Sequence, residues 1–242
     1  MTRPTIVVVA AEGDGEARAL AARLPHLDVQ LLTPGDLSCP GWEFRPGSSI
    51  GTAVAGGLTI CAEDIAAVLV RLPWVREHDL YRIDPADRSY AAAEMSAFLL
   101  AWLSAMPCPV LNRPTTSCLA GPLWRQQRWT IAAAVVGLPV APLRFVAPAD
   151  DDRRFPVVDE PAVTATVVGD RCLGIEDPVL ATRLGDLARL AGAELLTVGL
   201  SHAGKDACFV AASPWPDLTD DAVLDAVLEL AGVSARGMLA GA

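Results

Sequence analysis

The residues IAAAVVGLPVAP (131–142) decide the fold of this chain, together with two segments that follow them. Their pattern is typical of the end of a helix, a Gly-Leu-Pro turn and the start of a strand. The segments TATVVGDRCLGIEDP (164–178) and DACFVAASPWPDL (206–218) read as strands with turns. Only a short stretch rich in Pro, Asp and Arg joins the first segment to the second. This alternation of helices and strands predicts an α/β protein.

Length and charge narrow the class of protein. The 242 residues suffice for one large domain or two small ones, with a substantial core and no need of disulfides. The formal charge of −10, from 29 acidic and 19 basic residues, argues against nucleic acid and anionic membranes as partners. The N-terminus lacks a signal-peptide pattern, and the longest later apolar run, 98–110, falls short of a membrane span. We expect a soluble cytoplasmic protein.

Cysteine and histidine usage argues against crosslinks and zinc. No C-x-x-C pair occurs, and no histidine has the spacing of a metal ligand. We expect the cysteines to be reduced, buried thiols. The cysteines are Cys39, Cys61, Cys108, Cys118, Cys172 and Cys208, and the histidines are His26, His78 and His202.

The spacing of apolar residues and the residue composition predict the strands and helices of the N-terminal half. An apolar strand at 65–72 is of the kind found at the centre of a parallel sheet. The glycine-rich segment 47–57 lacks the order of a phosphate-binding loop and is interpreted as a flexible or hairpin-like connection. The other predicted elements are strands at 5–10, 28–32, 42–45 and 58–61, a strand within 109–114, and helices at 15–24, 89–106 and 122–136, the last capped by Gly137.

The second half repeats the alternation. We predict strands at 163–168, 194–200 and 207–211, and helices at 178–191 and 219–231, the last with Thr219 as its N-cap. The residues 150–154 have the most linker-like composition of the chain. We therefore place a domain boundary near residue 150.

Several segments together resemble the ATP-grasp superfamily, in the branch of ligases that modify ribosomal proteins and mature peptides. The resemblance implies an N-terminal pre-ATP-grasp-like parallel-sheet domain, 1–150, and a truncated ATP-grasp core remnant, 155–235, without the lid subdomain that clamps the nucleotide. The segments that carry the resemblance are VLVRLPW (68–74), AAAEMSAFLLAWL (91–103), PVLNRP (109–114), QQRWTIAAAVVGLPVAP (126–142), TATVVGDRCLGIE (164–176) and CFVAASPWPDL (208–218).

The resemblance also shows where this chain departs from the family. A Glu and, two positions later, an Asn on the closing strand of the family hold the magnesium ions of ATP, and aligned on the Pro-x-Pro of SPWPDL these positions are Ala211 and Ser213. A methyl group offers no ligand to magnesium and a neutral hydroxyl is a weak one. Family members also clamp phosphates with lysines, whereas Lys205 is the only lysine here. We expect no metal and no cofactor.

A ligand site is expected at the carboxyl edge of the N-terminal sheet, where open α/β sheets bind ligands. Arg71 ends a central strand, Trp74 and Arg76 lie just beyond it, and Asn112 and Arg113 end the next strand. These residues predict a rim for a carboxylate or a peptide. A surface arginine stacked on a tryptophan is the alternative interpretation.

A partner surface is a second candidate, on the helix at 122–136. Trp124 with Arg128, and Arg125 with Trp129, are four residues apart and favour cation–π contact, and Trp and Arg are enriched at interface hot spots. Packing of this helix on the second half is the alternative. Ser201 and His202 are adjacent, which alone does not orient a base onto a nucleophile.

Two hypotheses follow. The first is a non-catalytic ATP-grasp-like protein, a binding, scaffold or accessory subunit in peptide modification or small-molecule biosynthesis, with a protein or peptide partner or a small carboxylate ligand. The family analogy adds a possible homodimer. The second is an active enzyme, either an atypical ATP-dependent carboxylate-amine ligase or a repurposed fold with a reaction centred on Arg71, Asn112 and Arg113.

Overall fold

The computed structural model describes residues 4–45, 51–146, 155–157 and 160–233. Within them the chain forms strands and helices in the following order: β1 (Thr5–Val9), α1 (Gly15–Arg23), β2 (Asp28–Leu32), β3 (Thr52–Ala55), β4 (Leu58–Cys61), β5 (Ile65–Val70), α2 (Arg88–Ala105), β6 (Val110–Leu111), α3 (Gln126–Val135), β7 (Arg144–Val146), β8 (Phe155–Val157), β9 (Val163–Val168), β10 (Arg171–Leu173), α4 (Pro178–Ala191), β11 (Leu195–Leu200), β12 (Phe209–Ser213) and α5 (Asp221–Leu230).

The chain divides into two compact units. The first unit comprises Met1–Gly121 and Leu224–Ala242, and the second comprises Pro122–Val223. The boundary predicted near residue 150 lies outside the described residues. The sequence assigned the last helix to the C-terminal domain 155–235, whereas most of α5 belongs to the first unit.

The first unit is built on a four-stranded parallel sheet of order β2-β1-β5-β6. β5 lies between β1 and β6, as its continuous apolar run predicts. Every residue of β1 is buried, as expected for a central strand of a parallel sheet that is covered on both faces. Leu20 of α1 and Leu224, Val227 and Leu228 of α5 line one apolar gap together with residues of the sheet, so the two helices cover the same face. The carboxyl ends of the strands meet at one edge.

A β-hairpin stands beside this sheet, which agrees with the hairpin-like interpretation of 47–57 and with the strand predicted at 58–61. β3 pairs with β4 in antiparallel register, and Ala53, Val54 and Ala55 are fully buried. The strand predicted at 42–45 is reduced to one isolated bridge, between Glu43 and Thr52. Small apolar side chains carry a weak strand signal, and here burial decides the conformation instead. Residues 46–50 lie outside the described part.

The second unit has an antiparallel sheet of order β10-β9-β11-β12. α3 and α4 contribute Trp129, Leu184 and Leu187 to its core, which also holds Leu196 of β11 and Phe209 of β12. β7 and β8 form a separate hairpin. The strands β9 and β11 are the centre of the sheet, and apolar side chains fill its covered face.

Helix ends account for several of the boundaries. Asp177 caps α4 by accepting the N–H groups of Val179 and Leu180, and the helix has its predicted bounds. Gly137, with φ of +81°, ends α3 as the sequence predicts. α3 begins at Gln126, four residues later than predicted. The N–H groups of Ala222 and Val223 are accepted by Asp220, which replaces the predicted cap Thr219.

Within the described residues, no helix is both long enough and apolar enough to cross a bilayer.

Candidate functional site

Arg71 lies at the carboxyl end of β5 and is held by two carboxylates. Its Nε is 2.7 Å from Oδ2 of Asp14, and a terminal guanidinium nitrogen is 3.1 Å from Oε2 of Glu16. Only 10% of the Arg71 side chain is exposed. Asp14 caps α1 and also accepts the N–H of Ala17, so it joins the helix start to the strand end. The positive charge predicted for this edge is thus matched within the unit.

The contacts of Asp14 change the pKa of its carboxyl group. Burial opposes ionisation and raises the pKa of the carboxyl, but the hydrogen bond from Arg71, the N–H of Ala17 and the attraction of the guanidinium together outweigh it. The pKa of Asp14 is therefore lower than its ordinary value. The carboxylate is ionised at neutral pH, and the Asp14–Arg71 contact is an ion pair.

An open pocket of about 530 Å³ lies beyond the ends of β1 and β5. Of the five residues predicted to form a ligand rim, Arg76 lines it. Arg76 is itself paired with Asp79, with Nε 3.3 Å from Oδ2. Trp74 is 44% exposed. The pocket's residues are Ala11, Glu12, Gly13, Asp14, Arg76, His78, Asp79 and Tyr81, a mixed set with more acidic than basic groups.

Asn112 and Arg113 follow β6 and differ in exposure. Asn112 is 1% exposed and donates from Nδ2 to the carbonyl of Ala120 at 3.4 Å. A Cβ atom added to Gly121 would approach the Cβ of Asn112 to 2.6 Å, so the two residues pack closely. Arg113 is exposed. Asn112 is therefore an interior residue and not part of an exposed rim. A binding role for the predicted rim stays a prediction.

The aromatic and basic residues at the start of α3 form one contact group. The guanidinium carbon of Arg128 lies 3.9 Å from the ring centre of Trp124, which confirms the predicted cation–π pair. The rings of Trp124 and Trp129 are 4.6 Å apart. Trp129 is 2% exposed and belongs to the core, while Arg125 is exposed. No cation–π contact joins Arg125 and Trp129 among the described residues. Packing thus explains Trp129, and a partner role stays a prediction for the others.

The positions aligned with the family's metal ligands lie on β12. Ala211 pairs with Gly199 of β11, and Ser213 pairs with Thr197. The Ser213 hydroxyl accepts the N–H of Trp215 at 3.3 Å. Neither side chain offers a carboxylate or amide oxygen, and among the described residues no group of three His, Cys, Asp or Glu is placed to hold a metal. At these two positions of β12, the residues present do not fit a magnesium ion.

A second pocket, of about 230 Å³, lies in the second unit and was missed by sequence reasoning. Its lining comes from five separate stretches between residues 126 and 210, which no local pattern connects. Polar groups at its rim include those of Gln126, Arg144 and Glu160. Gln126 donates from Nε2 to the carbonyl of Val210 at 2.6 Å, which joins α3 to β12.

The turn at 201–208 holds Ser201 and His202 in structural roles. The Ser201 hydroxyl accepts the N–H of Cys208, and Nδ1 of His202 accepts the N–H of Gly204. Each side chain thus stabilises the turn, and the two are not joined as base and nucleophile in any hydrogen bond that the described residues make.

All six cysteines are free, as predicted. Cys118 is buried, whereas Cys61 is exposed, contrary to the expectation of buried thiols. Burial raises the pKa of Cys108, Cys118 and Cys172 above the ordinary value of a thiol. These three are therefore protonated and unreactive at neutral pH.

The chain is similar in fold to several solved structures. No protein-family model matches the chain, and no curated protein matches it. The macrocyclase MdnC from Microcystis aeruginosa MRC, bound with the precursor peptide MdnA, aligns with a TM-score of 0.65 and 12% identity, over 93% of this chain and 98% of that one. A RiPP-associated ATP-grasp ligase of Chryseobacterium gregarium, in complex with ADP and a leader and core peptide, gives 0.65 and 11%, over 93% and 96%.

A third neighbour, the ATP-grasp ligase PsnB complexed with minimal precursor, Mg and ADP, has a TM-score of 0.63 and 14% identity, over 93% of this chain and 98% of that one. Identities this low show the fold alone. They confirm the α/β class with its parallel sheet and the resemblance stated from the sequence. The chain shares its fold with these solved ATP-grasp ligases.

Proposed function

We propose that this chain is a non-catalytic ATP-grasp-like protein that serves as a binding or accessory subunit in peptide modification. The observation that carries the proposal is the pair Ala211 and Ser213 on β12, where the family's magnesium ligands align. A ligase that activates a carboxylate with ATP depends on metal ions to neutralise the phosphates. A methyl group and a hydroxyl engaged with Trp215 do not replace that function.

Two further features support the proposal. Lys205 is the only lysine in the chain, and it lies in an exposed turn. The segment in which the resemblance expects a nucleotide lid holds the hairpin of β7 and β8, each of three residues, joined by residues 147–154. Nucleotide affinity in this fold comes from enclosure as well as charge, so a small hairpin is a poor substitute for a lid.

The neighbours support a peptide as the partner. MdnC, the Chryseobacterium gregarium ligase and PsnB are each described with a precursor, leader or core peptide. We propose that this chain also binds a peptide. Trp124, Arg125 and Arg128 near the start of α3, and the edge with Arg71 and Trp74, are the surfaces that the sequence assigns to a partner or ligand.

An assay of phosphate release tests the proposal. The protein is incubated with γ-labelled ATP, Mg²⁺ and a panel of short peptides that carry Asp, Glu or Lys side chains. We expect no release above that of heat-denatured protein. Mg²⁺-dependent release that requires one of the peptides would contradict the proposal.

An active ligase is the second candidate, and the pocket of about 230 Å³ in the second unit favours it. The pocket is large enough for a planar heterocycle, and Arg144 and Glu160 place both signs of charge at its rim. Arginine would then take the role of the missing lysines. If phosphate release occurs and the Arg144→Ala variant abolishes it, this candidate replaces the first.

A further inference from the structure

The hairpin of β3 and β4 is held firmly in place. Its two turn residues, Gly56 and Gly57, have φ of +59° and +73°, the conformation of a type I′ turn. The N–H of Gly57 donates to Oδ1 of the buried Asp36 at 2.9 Å, and the N–H of Gly56 donates to the carbonyl of Leu31 at 2.7 Å. The hairpin is therefore anchored to neighbouring parts of the first unit at its tip.

Its hydrogen-bond pattern shows which backbone groups of β4 point outward. The N–H of Ala62 donates to the carbonyl of Gly51, so this opposed pair is hydrogen-bonded. Because such pairs alternate along an antiparallel ladder, Ile60 and Leu58 also face β3 with their backbone groups. The N–H and C=O groups of Thr59 and Cys61 consequently point away from β3.

Among the described residues, the outer side of β3 is occupied, whereas that of β4 is open. Thr52 exchanges both backbone hydrogen bonds with Glu43 on the far side of β3. In the described ranges, with 46–50 outside them, no further strand pairs with β4. The strand reads Leu-Thr-Ile-Cys, without charge or proline, and Leu58 is 58% exposed. Natural edge strands are ordinarily protected by charges, proline or a bulge.

We propose that the open edge of β4 binds an extended peptide by strand addition, and that it prefers a peptide with basic residues. The peptide class rests on the proposed function. Exposed Glu63 and Asp64 come one residue after the end of the strand, and the chain carries a formal charge of −10. These charges attract a basic peptide and repel a second copy of the chain. A preformed edge also limits the ordering that binding requires.

The substitution Cys61→Pro tests the proposal. The φ of Cys61 is −68°, which proline adopts without strain, and its N–H points outward, so the variant removes an edge donor and keeps the hairpin ladder. The probe is a fluorescein-labelled peptide, Lys-Val-Thr-Val-Thr-Val-Lys, followed by anisotropy. We expect saturable binding, weakened about threefold to tenfold by Cys61→Pro and unchanged by the control Cys61→Ala. The same peptide with Glu for Lys should bind more weakly.

A backbone N-methylated peptide keeps the test valid if Cys61→Pro destabilises the protein, because it removes donors from the peptide alone and should also bind more weakly. Absence of saturable binding would overturn the proposal. Binding that is weakened neither by Cys61→Pro in the protein nor by N-methylation of the peptide would overturn it as well. Self-association that Cys61→Pro abolishes would identify a second copy as the occupant and would overturn it too. Phosphate release with intact edge binding would instead refute only the non-catalytic function.

Discussion

Single residues at the carboxyl edge of the parallel sheet give the clearest test of the geometry. Removal of Arg71 leaves Asp14 and Glu16 side by side without their cation. We expect Arg71→Ala to lower the free energy of unfolding by about 1–3 kcal/mol, less than for a fully buried pair because both partners retain some exposure. Urea unfolding measures this. The control is Arg76→Ala, whose more exposed pair with Asp79 should cost about 0–1 kcal/mol.

The lowered pKa of Asp14 predicts a pH dependence. Between its folded pKa and the higher unfolded value of about 3.9, the unfolded chain binds more protons, so stability rises with pH. The contribution is complete above the unfolded pKa and is lost as pH falls through the folded one. In Arg71→Ala, burial remains while the guanidinium is gone, so the pKa of Asp14 should rise. An NMR titration of the Asp14 carboxyl in both proteins measures this, and equal pKa values would contradict the ion-pair account.

Side-chain contacts between residues distant in the sequence were not predictable from local patterns. The position of Arg71 at a strand end was predictable from the apolar run before it, but its partner Asp14 is 57 residues away, and no local pattern connects them. Asn112 likewise looked like an edge residue, whereas its side chain is buried beside Gly121. The pairing of charges and the burial of polar groups depend on tertiary contacts.

At the scale of elements, α3 separates packing from recognition. Trp129 lies in the core, so Trp129→Ala should lower the free energy of unfolding by about 3–5 kcal/mol. Trp124 is half-buried, contacts Trp129 and Arg128 and packs against the edge of the core, so Trp124→Ala should cost about 1–2 kcal/mol. Chemical denaturation of both variants measures the difference. Equal losses would mean that Trp124 is a core residue and would weaken the case for a partner surface on this helix.

The hairpin of β3 and β4 gives a second prediction for an element. Asp36 accepts the N–H and hydroxyl of Thr33 and the N–H of Gly57. Asp36→Ala would remove the buried acceptor of three hydrogen bonds, whose donors lie on half-buried Thr33 and exposed Gly57, and should cost about 1–3 kcal/mol. It should also weaken peptide binding at β4, whereas Asp36→Asn, which keeps one acceptor oxygen, should do so less. Unfolding and anisotropy measurements check both effects, and unchanged binding by Asp36→Ala would show that the anchor is not needed.

The elements that the sequence predicted well have strong local signals. β2, β9 and α4 have their predicted bounds. A β-branched run marks β9, and Asp177 and Gly192 delimit the helix. β3 and β10 were not predicted as strands, because β3 lies in a segment interpreted as a connection and β10 follows a Gly-Asp turn. Their strand conformation depends on pairing with β4 and β9.

The whole molecule shares its fold with solved ATP-grasp ligases, and it carries Ala211 and Ser213 on β12. The fold class followed from the order of elements, because each segment of the resemblance occupies its expected place. The division into units did not, because α5 returns to the first unit and only long-range contacts reveal that. The proposal of a non-catalytic protein depends on Ala211 and Ser213, and both were identifiable from the sequence.

Calorimetric titration with ATP and with a nonhydrolysable analogue, each in the presence of Mg²⁺, tests the central claim most directly. The claim is that this ATP-grasp fold no longer binds the magnesium–nucleotide complex. We predict no binding heat up to millimolar nucleotide. Magnesium-dependent binding at micromolar concentration would contradict the account, and the ligase interpretation would take its place.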